Sequence, residues 1–189
     1  MSGNNTLWYA LGGALLVYLI VNRQGVSDLA QSGVDDVTAA VAGWKNVQQG
    51  STWVPVINQT ENAYGIPPDL LARMAYQESH FRPDIISGTL ASSAGALGIL
   101  QLMPQYFNSV NVPRPYQAAD VVAQITEAAQ QLQHLYGTFQ DWGLAVAAYN
   151  AGAGTVSAYL SGSRQLPQET VSYVSDVLAD VPLPSALQA

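Results

Sequence analysis

Residues 69–83 read DLLARMAYQESHFRP, an apolar run that closes on a glutamate and a proline. Leu70, Leu71, Met74 and Ala75 recur at the spacing of one helical face, so the stretch predicts an amphipathic helix. Asp69 stands in its cap or first turn. The Gly65-Ile66-Pro67-Pro68 break separates it from an earlier helical stretch that starts near Trp53. Pro83 is expected to stop the helix beyond Glu78. A glutamate on a helix is ordinarily a solvated residue, and nothing within Gln77 to Pro83 alone sets Glu78 apart from one.

Two downstream segments change that reading. Residues 92–104, SSAGALGILQLMP, form a small-residue loop that runs into an apolar turn. Gly95 and Gly98 permit close backbone approach there, while Ile99, Leu100 and Leu102 suit a core anchor that presents Gln101 to a ligand. Residues 147–154, AAYNAGAG, end a helix on Tyr149 and Asn150, with Gly152 suited to a left-handed cap. Further helices are expected near 119–136, 141–149, 153–160 and 169–179. Alternating strand patterns are scarce, and the Gly-rich 87–98 segment reads as loop or short hairpin. The fold class is therefore mainly α.

Composition narrows the function. At 189 residues the chain suits one domain plus an extension, and 49% hydrophobic with 10% charged residues is too apolar for a disordered chain. Thirteen acidic against six basic residues give a net charge of −7, which repels nucleic acid phosphates. With no Cys and two isolated His, no thiolate or imidazole metal site is expected, and no cofactor.

The N-terminus differs in character. Leu7 to Val21, LWYALGGALLVYLIV, is almost wholly apolar and reads as a membrane segment. Fifteen helical residues span roughly 22 Å, so flanking uncharged residues must join them to cross a core of ~30 Å. A cleaved signal peptide is the second reading, weakened by the uncharged MSGNNT start, and a buried core helix is the third. Between residues 23 and 50, Val26, Leu29, Val34, Val37, Val41, Trp44 and Val47 suggest an amphipathic helical stalk or linker, interrupted by glycines. The expected organisation is thus residues 1–22 as membrane segment, 23–50 as stalk and 51–189 as the folded domain.

Glu78-Ser79 with Phe81 and Pro83, then Gly95 to Pro104, then Ala148 to Gly152 resemble, in order and spacing, the hallmarks of lytic transglycosylases of the soluble-lytic-transglycosylase (SLT) type. Leu166-Pro167-Gln168-Glu169-Thr170 with Tyr173-Val174 is similar to that family's closing helix. The resemblance covers about two-thirds of the chain and leaves out residues 1–50. It implies a goose-type-lysozyme-like helical fold and cleavage of peptidoglycan glycan strands. Glu78 is then the catalytic acid. Ser92, Gln101, Met103, Tyr149 and Glu169 contact substrate, and Ser79 and Asn150 support the site. Ser93, Leu100 and Ser172 depart from the family's usual residues, and Ile86 to Leu90 adds length before the Gly-rich loop.

Glycoside hydrolases generally use two carboxylates. Only Glu78 is a good candidate here: Asp69 lies nine residues earlier along the same helix, too far to share a sugar, and Asp84 follows the Pro83 break. The resemblance implies a one-acid reaction that closes a 1,6-anhydro ring on N-acetylmuramic acid. A lysozyme-type hydrolase of the same bond is one alternative, and a non-catalytic envelope or virion structural protein is another. Partners are peptidoglycan, a lipid membrane through residues 7–21, and virion or envelope-complex proteins. The expected location is a membrane, viral or bacterial inner, with the domain on the periplasmic wall.

Overall fold

The structure, a computed structural model, describes residues 51–179 together with Trp44, Val47 and Gln48. The expected membrane segment and most of the expected stalk lie outside the described residues. Among those described, no helix is long and apolar enough to cross a membrane.

The helices are α1 (Val54–Tyr64), α2 (Leu70–Ser79), α3 (Pro83–Ile86), α4 (Ala118–Phe139), α5 (Trp142–Ala151), α6 (Ala153–Leu160) and α7 (Gln168–Leu178). The helix α4 is the longest, about 33 Å at its 22 residues. Its buried side chains Val121, Gln124, Ile125, Ala128, Ala129, Leu132 and Leu135 follow the helical spacing that the sequence carries. Asp120 opens it by accepting from the Gln117 N–H at 2.8 Å. Gln140, left-handed at φ 54, closes it. Asp141 then accepts from the Leu144 N–H at 2.8 Å and starts α5. This tight turn folds α5 back along α4, with Tyr136 stacked on Trp142 at 4.0 Å.

The α5 helix is central. Gly143, Ala145, Val146, Ala147 and Ala148 are all buried, and their small side chains let α4, α6 and α7 pack around it. Helix α2 lies between α1 and α7. Ile57, Leu70, Leu71, Met74, Ile99, Leu100, Leu102, Ile125, Leu132 and Leu178 form the fully buried centre.

Residues 97–102 make the hairpin that the Gly-rich segment suggested, displaced toward its C-terminal end. Leu97 and Leu102 exchange both backbone hydrogen bonds, at 3.0 and 2.9 Å. The turn inside needs Gly98 at φ 77, where a Cβ would overlap the Gln124 side-chain oxygen.

Two local expectations change. Pro83 does not stop α2: the helix ends at Ser79 because His80 and Phe81 adopt φ of 48 and 51, and Pro83 opens the short α3. Asp69 is not a side-chain cap either. It is left-handed at φ 66, and its carboxylate accepts from the Gln48 amide at 2.9 Å. The cap of α2 comes from Glu61 on α1, only 2% exposed, whose two oxygens accept from the N–H groups of Asp69 and Ala72, each at 2.9 Å.

The packed unit extends N-terminal of α1. Trp44, 5% exposed, lies with its ring 6.0 Å from that of Tyr76 and beneath the Arg73 guanidinium at 5.0 Å. Val47 packs on the same core. These residues come from the stretch whose apolar spacing suggested a stalk, and they cover α2.

Candidate active site

Glu78 lies one residue from the end of α2, four positions after Met74 and three after Ala75, both of which are fully buried. Side chains at that spacing share a helical face. Glu78 therefore continues the apolar stripe and is half-buried at its end. Burial raises its pKa from 4.5 to about 7, and a hydrogen bond from Tyr173 partly offsets the rise. That bond runs from the Tyr173 hydroxyl to Glu78 Oε1 at 2.8 Å.

Tyr149, near the end of α5, donates from its hydroxyl to the Leu100 carbonyl at 3.0 Å, which ties α5 to the hairpin. Burial, then the charge of Glu78, pushes the Tyr149 hydroxyl well above its ordinary value of 10.0. Tyr173 is raised in the same way, with Tyr149 also contributing. Both phenols thus remain protonated donors at neutral pH, grouped around a single carboxylate.

Ser79 shapes the exit from this helix. Its buried hydroxyl donates to the Ala75 carbonyl at 2.7 Å and accepts from the Phe81 N–H at 3.2 Å. The two successive left-handed residues, His80 and Phe81, are held by that contact. Asn150 accepts from the Thr170 hydroxyl at 2.8 Å and so joins the end of α5 to the start of α7. A left-handed backbone at Gln101, φ 48, turns that residue out of the hairpin, where its amide donates to the Gly98 carbonyl at 3.0 Å.

The family model Transglycosylase SLT domain matches residues 55–171, more than half of the chain. This chain belongs to that family. It is 36% identical over 127 residues to membrane-bound lytic murein transglycosylase D of Escherichia coli (strain K12), covering 59% of this chain and 27% of the relative. It is 31% identical over 133 residues to the soluble lytic murein transglycosylase of the same strain, covering 60% and 20%. The chain thus spans less than a third of either relative. Among solved structures, it is similar to an inactive mutant of the lytic transglycosylase Slt from Pseudomonas aeruginosa, in which a glutamate is replaced by glutamine. The TM-score is 0.51 and the identity 26%, over 65% of this chain and 22% of that one. The mainly helical, lysozyme-like fold expected of an SLT domain is the fold observed.

Within the SLT domain, the site residues anticipated from sequence fall into two groups. Glu78 and Tyr149 come together, with Gln101 and Met103 on the adjoining hairpin arm. Ser92 is exposed, in a turn where its hydroxyl accepts from the Ala96 N–H at 2.9 Å and leaves its own proton free to donate. Glu169 is exposed in the first turn of α7 and makes no contact with Glu78, but it stands four positions before Tyr173 and so shares its helical face.

Two residues acquire roles that sequence did not assign. Tyr173 was legible only as part of the closing motif. Its reach to Glu78 follows from how α7 packs on α2. Glu61 was not singled out by any motif, and its role as the cap of α2 follows from how α1 packs on α2. Among the described residues, no three His, Cys, Asp or Glu side chains gather as a metal site would require.

Proposed function

We propose that this chain is a peptidoglycan lytic transglycosylase that cleaves the β-1,4 bond between N-acetylmuramic acid and N-acetylglucosamine and leaves a 1,6-anhydro end. The observation that carries the reading is Glu78: a carboxylic acid on the buried stripe of α2, with a pKa raised to about 7 and held by Tyr173. A group with that pKa serves near neutral pH first as acid and then as base. The names of the relatives support the transglycosylase reading, and the similar Slt structure is an inactive mutant with glutamine in place of a glutamate.

In this mechanism Glu78 donates its proton to the glycosidic oxygen, and the bond from that oxygen to the muramic acid C1 breaks. The acetamido group of the sugar stabilises the positive charge that develops at C1. Ionised Glu78 then takes the proton of the C6 hydroxyl as O6 bonds to C1. The carboxyl is regenerated and no water is consumed. Tyr173 fixes the carboxyl and favours its ionised form in the middle of the cycle. Tyr149, Gln101, Met103, Ser92 and Glu169 bind the strand, and Ser79 and Asn150 hold α2 and α5 in place.

Glu78 as the one good candidate carboxylate in the motif pattern favours ring closure over hydrolysis. Mass spectrometry of digested peptidoglycan tests this directly. Anhydro-muramic ends are expected, reducing ends would make the enzyme a hydrolase, and a Glu78→Gln protein that digests at the wild-type rate would overturn the assignment of Glu78.

In the full arrangement residues 1–22 anchor the protein in a membrane, residues 23–50 act as a stalk, and residues 51–189 work on the periplasmic wall. The task is local wall opening, during phage genome entry or envelope assembly. Recovery of the protein in purified phage particles, against recovery in membranes of uninfected cells, separates these two settings.

A further inference from the structure

Tyr106 is 77% exposed, the most exposed of the large hydrophobic side chains among the described residues. The turn that carries it is rigid. The N–H groups of Tyr106 and Phe107 donate to the Met103 carbonyl at 2.9 and 3.2 Å. The Asn111 amide donates to the Pro104 and Phe107 carbonyls at 2.7 and 3.1 Å. Phe107 packs against the core and anchors the turn from below. Bonds from positions three and four back to one carbonyl make residues 103–107 a single helical turn, and residues three apart on such a turn are neighbours on one face. Met103 and Tyr106 are therefore neighbours on that turn, Met103 half-buried and Tyr106 exposed.

Met103 directly follows the 97–102 hairpin, whose Leu100 carbonyl is held by Tyr149 beside Glu78. The turn that carries Tyr106 therefore begins at the end of the hairpin that Tyr149 holds. A tyrosine with two side-chain torsions, on a braced turn, offers a flat apolar face at little entropic cost. The faces of pyranose rings carry C–H groups that suit such a surface, and a strand of linked sugars repeats them.

We propose that Tyr106 stacks on a sugar ring of the glycan strand beyond the bond being cut, so that it sets the enzyme's preference for long strands. The inference rests on the glycan-cleaving reading above. The ring stands outside the reacting centre, so its effect falls on strand binding and not on the chemical step.

Binding of peptide-free glycan strands to the inactive Glu78→Gln protein tests this without turnover. Adding Tyr106→Ala is expected to weaken binding of long strands about tenfold, to leave a tetrasaccharide unaffected, and to be reversed by Tyr106→Trp. In the active enzyme, Tyr106→Ala should raise KM for long strands with kcat unchanged. Equal binding of long strands by Tyr106→Ala and its parent would overturn the proposal. So would a loss confined to strands that bear stem peptides, since the ring would then contact peptide. The nature of the product ends, anhydro or reducing, is read separately and bears only on the proposed reaction.

Discussion

The Tyr173 hydroxyl donates to Glu78 Oε1 at 2.8 Å across 95 positions of sequence. This bond is stronger to the ionised carboxylate, so it holds the pKa of Glu78 below the level that burial alone would give. Replacing Tyr173 by Phe keeps the ring and removes the bond. The pKa of Glu78 then rises further, and the alkaline limb of the kcat profile, where the acid loses its proton, moves to higher pH. The maximal rate should fall roughly tenfold or more as the carboxyl loses its orientation. A pH–rate profile of Tyr173→Phe that superimposes on the wild type would contradict this.

Glu61 and Glu78 are both raised from 4.5 to about 7 by burial. Between those pH values the folded chain keeps protons that the unfolded chain has released, so stability falls as pH climbs through this window and levels off above it. Each group contributes on the order of 3 kcal/mol to that fall. Glu78→Gln removes one of the two contributions. Denaturant unfolding at pH 5 and pH 8 should show a smaller loss for Glu78→Gln than for the wild type, with the variant the more stable protein at pH 8.

Glu61→Ala strips the cap from the helix that carries Glu78 and leaves the buried N–H groups of Asp69 and Ala72 without their acceptor. Unsatisfied buried donors and a lost cap together cost about 2–4 kcal/mol. Thermal unfolding should report the loss, with Glu61→Gln intermediate because a single carbonyl oxygen remains.

Gly98→Ala forces a side chain onto a residue at φ 77 and drives its Cβ into the Gln124 amide, whose Cδ would lie at 2.8 Å. Gln124 is fully buried and its oxygen accepts from the Ile99 N–H at 3.4 Å, so it has little room to yield. A loss of about 2–3 kcal/mol is expected. Activity should fall with it, because the same hairpin carries Gln101 and anchors Tyr149. Denaturation and peptidoglycan turnover on one preparation check both.

Trp44 lies ahead of the span that the SLT family model covers, yet it is buried on α2. Trp44→Ala opens a cavity beside Tyr76 and removes the ring beneath Arg73. The expected cost is about 3 kcal/mol or more. An unchanged unfolding midpoint would show that Trp44 contributes nothing to the stability of α2.

Local chemistry made most of the helices legible in the sequence. The 3.6-residue spacing of α4, the Gly65 to Pro68 break before α2, and the Tyr-Asn end of α5 are encoded within a few residues, where backbone preference and amphipathic burial act together. The motif segments around Glu78, Gly95 to Pro104 and Ala148 to Gly152 likewise pointed to the family by themselves. The burial of Glu78 was not legible there, because a glutamate at the end of a helix is ordinarily solvated.

What tertiary structure alone decided is which groups meet. The Tyr173 bond to Glu78, the Glu61 cap on α2 and the cover of Trp44 over Tyr76 each join separate elements. Their geometry depends on how helices pack, and no spacing rule along the chain reports that. The sequence determined the SLT motif pattern that singles out Glu78 at the end of α2. The fold determined its pKa, because desolvation and a donor from α7 exist only once the helices have closed around it.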